Sequence, residues 1–131
     1  MDVSYILDDL NDAQRQAVTS ESKKLLVLAG AGSGKTKVLV HRIAWLIKAL
    51  SSSTHSILSV TFTNKAANEM TGRIEQILDQ PIPEMWCGTF HSISNRLLRR
   101  HYREAGLEKD FSILDSDDQL RVIKRNLKEL D

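Results

Sequence analysis

Leu25-Leu26-Val27-Leu28-Ala29-Gly30-Ala31-Gly32-Ser33-Gly34-Lys35-Thr36 decides how the chain is read. A short apolar run leads into a glycine-rich loop, and a helical pattern follows from Lys35. That order is the layout of a phosphate-cradling loop between a buried strand and a helix. The glycines let the backbone fold tightly enough to turn several N–H groups toward one anion. Gly34 leaves no side chain where the phosphates must approach. The N-terminus of the following helix adds its positive dipole end to the same spot. Lys35 is placed to reach the β- and γ-phosphates of a nucleoside triphosphate, and the Thr36 hydroxyl to ligate Mg²⁺. The first glycine of the common G-x-x-x-x-G-K-[ST] pattern falls at position 29, where this chain has Ala29. Alanine is the least costly replacement there if the backbone angles stay in the common region.

Composition narrows the class without naming it. At 131 residues the chain is one small domain or part of a larger one. Hydrophobic residues make up 41% and charged residues 27%, which is ordinary globular usage. The formal net charge is +1, so any case for nucleic acid must rest on local patches. Cys87 is the only cysteine, which excludes an internal disulfide and fits a reducing compartment. It reads best as a small buried apolar residue. The start, Met1-Asp2-Val3-Ser4-Tyr5, lacks the basic and apolar regions of a signal peptide. No apolar run is long enough to span a bilayer, so a soluble cytoplasmic protein without a membrane partner is expected.

Outward from the loop, strands and helices alternate. Asn11 with Gln14 is a helix-capping pair, and Ala13, Ala17 and Val18 give a short helix its apolar stripe. Strand one is expected over Leu25 to Ala29. The helix after the loop should bury Leu39, Ile43, Leu46, Ile47 and Leu50. A second strand is expected near Ile57 to Phe62. A helix from about Asn64 to Asp79 then carries Ala67, Met70, Ile74, Ile77 and Leu78 on one side. Gln80-Pro81-Ile82-Pro83 breaks it. A third strand is expected near Met85 to Phe90, a helix from about His91 to Ala105 stopped by Gly106, and a fourth strand over Phe111 to Leu114. Ser116 with Gln119 forms a capping box for a last helix, with Leu120, Ile123, Leu127 and Leu130 as its stripe. Asp115 reads as a residue that starts this helix. The alternation argues for α/β architecture around a parallel sheet, whose ligands sit beyond the carboxyl ends of its strands. Three loops qualify and should share one edge: Gly30 to Lys35, Thr63-Asn64-Lys65, and Thr89 through His91.

Four blocks now stand in order: Leu10 through Val18, the phosphate loop, Val60-Thr61-Phe62-Thr63-Asn64-Lys65-Ala66-Ala67-Asn68-Glu69-Met70, and Gly88-Thr89-Phe90-His91-Ser92. Together they resemble the superfamily 1 helicases of the UvrD/Rep/PcrA type, over essentially the whole chain. The resemblance implies an incomplete P-loop NTPase (RecA-like) parallel sheet flanked by helices. Residues 1–115 would be the N-terminal part of the ATP-binding motor domain, and 116–131 the start of an inserted helical subdomain. In that family, strands from later in the chain lie between the phosphate-loop strand and strand two, so a gapped or rearranged sheet is expected here.

The resemblance also implies roles. ATP and Mg²⁺ would be held by Gln14, Ala29, Gly30, Ala31, Gly32, Ser33, Gly34, Lys35, Thr36 and Lys37, with Lys35 and Thr36 in the catalytic role and Thr36 on the metal. Gln14 resembles the family's adenine-reading glutamine; its amide can donate to N7 and accept from the exocyclic amine of adenine. Helix capping alone is the other reading of Gln14. Lys37 stands where related helicases commonly carry an arginine, and a lysine lacks the flat guanidinium that stacks on a base. Phe62, Thr63 and Asn64 resemble a first single-strand contact, and Thr89 with His91 a second. Phe62 reads equally as a core strand residue, and Thr89 as a helix cap. Arg96, Arg99, Arg100 and Arg103 fit either phosphate attraction or a solvated face. Trp45 and Trp86 read as packing groups.

The function expected from the resemblance is ATP-driven 3′ to 5′ translocation and unwinding of DNA in repair and replication. Single-stranded DNA and single-strand/duplex junctions would be the substrates, and any repair partner proteins are unspecified. The 131-residue piece alone should be inactive. A small kinase-like nucleotide-binding module and a non-enzymatic nucleic-acid-binding module are the alternatives, and neither a phosphate-acceptor pocket nor a strong positive charge supports them.

Overall fold

The structure is a computed structural model that describes residues 2–130. Its elements in chain order are α1 (Asp12–Thr19), α2 (Lys35–Lys48), β1 (Leu58–Thr61), α3 (Asn64–Leu78), β2 (Trp86–Thr89), α4 (Phe90–Arg100) and α5 (Ser116–Leu130), with short 3₁₀ turns at Ser4–Ile6 and Thr54–Ser56. The chain divides into two compact units, Met1–Ser94 and Asn95–Asp131.

In the first unit, β1 and β2 pair in parallel, with Leu58 opposite Trp86 and Thr61 opposite Thr89. The crossover between them is α3, whose sequence puts apolar residues three and four apart. Ala67, Met70, Ile74 and Leu78 are all buried, and Ile77 packs at the edge of the same cluster. Thr63 starts α3 by accepting a hydrogen bond from the Ala66 N–H at 3.1 Å. Asp79 ends it in the left-handed conformation (φ 49°), which an aspartate tolerates better than most residues. The Met70 and Ile74 face meets Val40, Ile43 and Ala44 of α2, and Ile6, Ile82 and Met85 close the core. Trp45 and Cys87 are half-buried beside it, in keeping with a packing role.

Gly88 allows β2 to turn directly into α4. A Cβ there would lie 2.5 Å from Ser92 Oγ and 3.4 Å from Ile93 Cδ1, closer than side chains pack. The carboxyl ends of β1 and β2 therefore open side by side, as expected of the Thr63 and Thr89 loops.

Several expectations fail. Leu25 to Ala29 is not a strand. Leu26 and Leu28 are 81% and 86% exposed, and Leu25 and Val27 nearly half exposed. A strand is defined by its ladder, and the two-stranded sheet offers this run no neighbour among the described residues. The expected phosphate-loop strand is therefore present only as an unpaired segment without regular structure. The apolar stripe of α2 is also rotated: Val40, Ile43 and Ala44 are buried, while Leu39 and Leu50 are 41% and 55% exposed. Leu39 instead borders a cavity of about 320 Å³ with Leu25, Val27 and Val38, so its side of α2 faces the unpaired run.

In the second unit, α4 stops at Arg100, short of Ala105, and turns lead to Gly106 at φ 67°. Phe111 to Leu114 is not a strand; it has no regular structure, for want of a neighbouring strand among the described residues. The Arg99 guanidinium lies 4.2 Å from the centre of the Phe111 ring. The Ser116–Gln119 capping box does not form. Asp115 caps α5, its carboxylate accepting from the Asp118 N–H at 2.8 Å and its carbonyl from Gln119 N–H at 2.9 Å. A carboxylate one residue earlier outcompetes the Ser116 hydroxyl because it is charged and faces the helix dipole. Leu120, Ile123, Leu127 and Leu130 of α5 are all at least 48% exposed. No helix among the described residues is long and apolar enough to cross a membrane.

Candidate functional site

The glycine-rich loop is shaped by two left-handed glycines, Gly32 at φ 74° and Gly34 at φ 81°. Gly34 is the N-cap of α2 and supplies no side chain to it. By contrast, α1 and α3 are capped by the side chains of Asn11 and Thr63. The first N–H groups of α2 therefore remain available to an anion, together with the positive end of its dipole. Ser33 closes the turn, its N–H donating to the Gly30 carbonyl at 3.3 Å and its hydroxyl to the same oxygen at 2.6 Å.

Lys35 is exposed and folds back over this loop. Its Nζ donates to the carbonyls of Ala29 at 3.1 Å and Gly30 at 3.2 Å. The ammonium is held at the mouth by two neutral oxygens, which a doubly charged phosphate oxygen pair would outcompete. Thr36 is exposed in the first turn of α2.

Gln14 reaches the loop from α1. It completes the expected capping box: its N–H donates to Asn11 Oδ1 at 2.9 Å, and its Oε1 accepts from the Asn11 N–H at 3.1 Å. Its other amide atom, Nε2, donates to the Ser33 carbonyl at 3.3 Å. Gln14 and Lys35 line one cavity of about 250 Å³ with Asn11, Val27, Ala29 and Val38. Lys37 is turned away from the loop, its Nζ donating to the Asp9 carbonyl at 2.6 Å. Arg15 grips the same turn through Leu7 O at 3.0 Å and Asp8 O at 3.3 Å. Nothing in the local pattern signals these two clamps, because their partners are backbone carbonyls up to 28 positions away.

A second set of residues stands at the carboxyl ends of the strands. Phe62 is 87% exposed, which removes the reading that it is a core residue. Its ring lies 5.7 Å from that of Phe90 at 48°, and Phe90 is itself 55% exposed. Asn64, the first residue of α3, and His91, the second of α4, are exposed. Thr63 and Thr89 are engaged as helix caps, Thr63 at the surface and Thr89 buried. Thr89 is 8% exposed, and its Oγ1 accepts from the Ser92 N–H at 3.1 Å. Phe90 is the group that sequence reasoning passed over. The parallel register, with Thr61 opposite Thr89, brings the two following phenylalanines together.

The fold and these sites define the class: an α/β chain with a glycine-rich loop feeding a helix, and exposed aromatics at the strand ends. The sequence pattern of the UvrD/REP helicase N-terminal domain matches residues 10–131, so the chain belongs to that family. It is 59% identical to DNA helicase II of Escherichia coli strain K12 over 130 residues, covering 99% of this chain. It is 58% identical to DNA helicase II of Salmonella typhimurium, and 50% identical to the ATP-dependent DNA helicase PcrA of Bacillus subtilis over 126 residues. The chain spans 18%, 18% and 17% of the length of these relatives, respectively.

Proposed function

We propose that the chain is the ATP-binding and strand-contacting part of a DNA helicase that moves 3′ to 5′ along single-stranded DNA in repair and replication, in the cytoplasm. The observation that carries this reading is the uncapped start of α2, with left-handed Gly34 and the Lys35 ammonium at one point. That donor set suits an anion, and a polyphosphate is the anion long enough to meet the loop and the Lys35 ammonium together. Loop residues Ala29 to Thr36 would hold the phosphates, Lys35 would leave the Ala29 and Gly30 carbonyls for the β- and γ-phosphates, and Thr36 would ligate Mg²⁺. Bound Mg²⁺ supplies charge neutralisation at the phosphate oxygens. Gln14 would read adenine. Lys37, committed to Asp9, would hold the adjoining turn rather than cover the base.

The exposed Phe62 and Phe90 rings supply π-faces on which bases of any identity stack. Asn64 and His91 beside them would hydrogen-bond to phosphate, while Thr63 and Thr89 act through the caps that fix these turns. Single-strand/duplex junctions are the proposed substrate. Residues 1–115 are read as part of a RecA-like motor domain, and 116–131 as the beginning of an inserted subdomain.

Hydrolysis in this class also needs an acidic metal-positioning strand and a charge-stabilising arginine from a second motor domain. The chain is less than a fifth the length of its helicase relatives. It should therefore bind Mg·ATP without turning it over. Calorimetry with ATP and a phosphate-release assay on the purified chain test this together. Binding that is lost in Lys35→Ala, with no phosphate release, is the expected result. Steady Lys35-dependent release would contradict the proposed inactivity, and ATP binding unaffected by Lys35→Ala would contradict the site.

A further inference from the structure

We infer that Gln14 is a positioning residue for the phosphate loop as well as a base reader: its amide fixes the peptide plane that aims the Gly34 N–H at the anion. The inference rests on the nucleotide reading above and deepens it.

The orientation of the Gln14 amide is dictated by its partners. The Asn11 N–H can only donate, so the atom it meets is Oε1. The Ser33 carbonyl can only accept, so the atom it meets is Nε2. Ser33 C=O and Gly34 N–H belong to one planar trans peptide, in which the two groups point in opposite directions. Holding the carbonyl toward α1 therefore sends the Gly34 N–H the other way. Gly34 has no Cβ and sits at φ 81°, so little else in the backbone prevents that peptide from flipping. The fit is close: a Cβ on Gly34 would stand 3.0 Å from Gln14 Nε2.

A glutamine amide has two N–H groups and two acceptor lone pairs. One of each is spent on Ser33 and Asn11. One donor and one lone pair remain, the pair that adenine N7 and its exocyclic amine require. Base and loop can thus be served by the same side chain at once, and a bound adenine would stiffen the amide that holds the loop.

Calorimetry on the full chain with ATP and with inorganic tripolyphosphate, which has phosphates and no base, separates the roles. Gln14→Ala is expected to weaken both ligands, tripolyphosphate by about three- to tenfold, the weight of one neutral hydrogen bond. Gln14→Met, which keeps the length and helix propensity of the side chain, should behave alike if the alanine variant folds poorly. Asn11→Ala removes the helix cap and spares the Ser33 bond. It should lower Tm, leave tripolyphosphate affinity unchanged, and leave the amide nitrogen resonance of Gly34 in place, whereas Gln14→Ala moves it. Loss of ATP affinity alone in Gln14→Ala overturns the positioning role and leaves the nucleotide reading intact. Equal tripolyphosphate loss in Asn11→Ala assigns the effect to the cap and also overturns it. A wild-type chain that binds neither ligand overturns both.

Discussion

Replacing the loop glycines one at a time by alanine should give three different answers, set by local geometry rather than by glycine content. Gly30 has an ordinary φ, and a Cβ there meets nothing within 4 Å. Gly30→Ala should leave the loop conformation unchanged. Gly32 is left-handed at φ 74° with open space around it, so Gly32→Ala bears only the backbone penalty of about 1–2 kcal/mol. Gly34 is left-handed at φ 81°, and its new Cβ would also press on Gln14 Nε2 at 3.0 Å. Displacing that amide forfeits a hydrogen bond of about 1 kcal/mol in addition, for a total of about 2–3 kcal/mol. An exposed loop relieves such strain by changing shape before the whole chain unfolds, so the penalty should appear in binding. At about 1.4 kcal/mol per factor of ten, tripolyphosphate affinity should fall roughly five- to thirtyfold in Gly32→Ala and about thirty- to a hundredfold or more in Gly34→Ala. Calorimetry reads the affinities, and thermal melts check that Tm moves little. If Gly34→Ala binds like wild type, or Gly30→Ala is as damaging as Gly34→Ala, the loop does not work through the conformation described.

At the strand ends, Phe62→Ala should weaken oligo-dT binding by about 1–3 kcal/mol, the usual weight of one base–aromatic stack, and Phe90→Ala should couple to it in a double-mutant cycle because the rings are 5.7 Å apart. Strictly additive fluorescence-anisotropy losses would separate the two rings functionally. Thr89→Ala should cost about 0.5–2 kcal/mol of stability through the lost α4 cap, and Thr89→Ser should retain most of it; urea melts that show no difference between the two would deny the capping role. Ile74 is fully buried between α2 and β2, so Ile74→Ala should destabilise by about 2–5 kcal/mol in urea, and a loss under about 1 kcal/mol would mean that the core cluster is not packed as described.

The parts legible in the sequence are those decided within a few residues. The Asn11–Gln14 capping box, the α3 stripe from Ala67 to Leu78, and the helix start at Asp115 rest on contacts three or four positions apart. So does the glycine-rich loop, whose left-handed turns need only local room. Apart from the Ser116–Gln119 box, which the neighbouring Asp115 carboxylate displaces, the failures are non-local. Leu25 to Leu28 has the composition of a buried strand, but composition does not supply the neighbouring ladder that makes a strand. The expected stripe of α2 fails for a related reason. Its helix has apolar residues on two sides, and only tertiary packing shows that Val40, Ile43 and Ala44 face α3 while Leu39 faces the unpaired run.

The same distinction separates the two candidate sites. The glycine-rich loop is announced by its residues because the chemistry proposed for it is mostly backbone, and glycine at a given position is a statement about backbone. The aromatic pair is announced by neither phenylalanine alone. Phe62 follows one strand and Phe90 another; the sequence marks Phe62 through its family resemblance, but Phe90 reads as an ordinary hydrophobic residue until the parallel register of β1 and β2 places both at one edge. Gln14 lies between these extremes. Its cap is written locally, but its bond to Ser33 spans 19 positions and exists because α1 and the loop are folded together. A residue satisfied locally at one end and non-locally at the other can report the state of one partner to the other. The loop is therefore better understood as a structure held from outside than as a motif sufficient in itself.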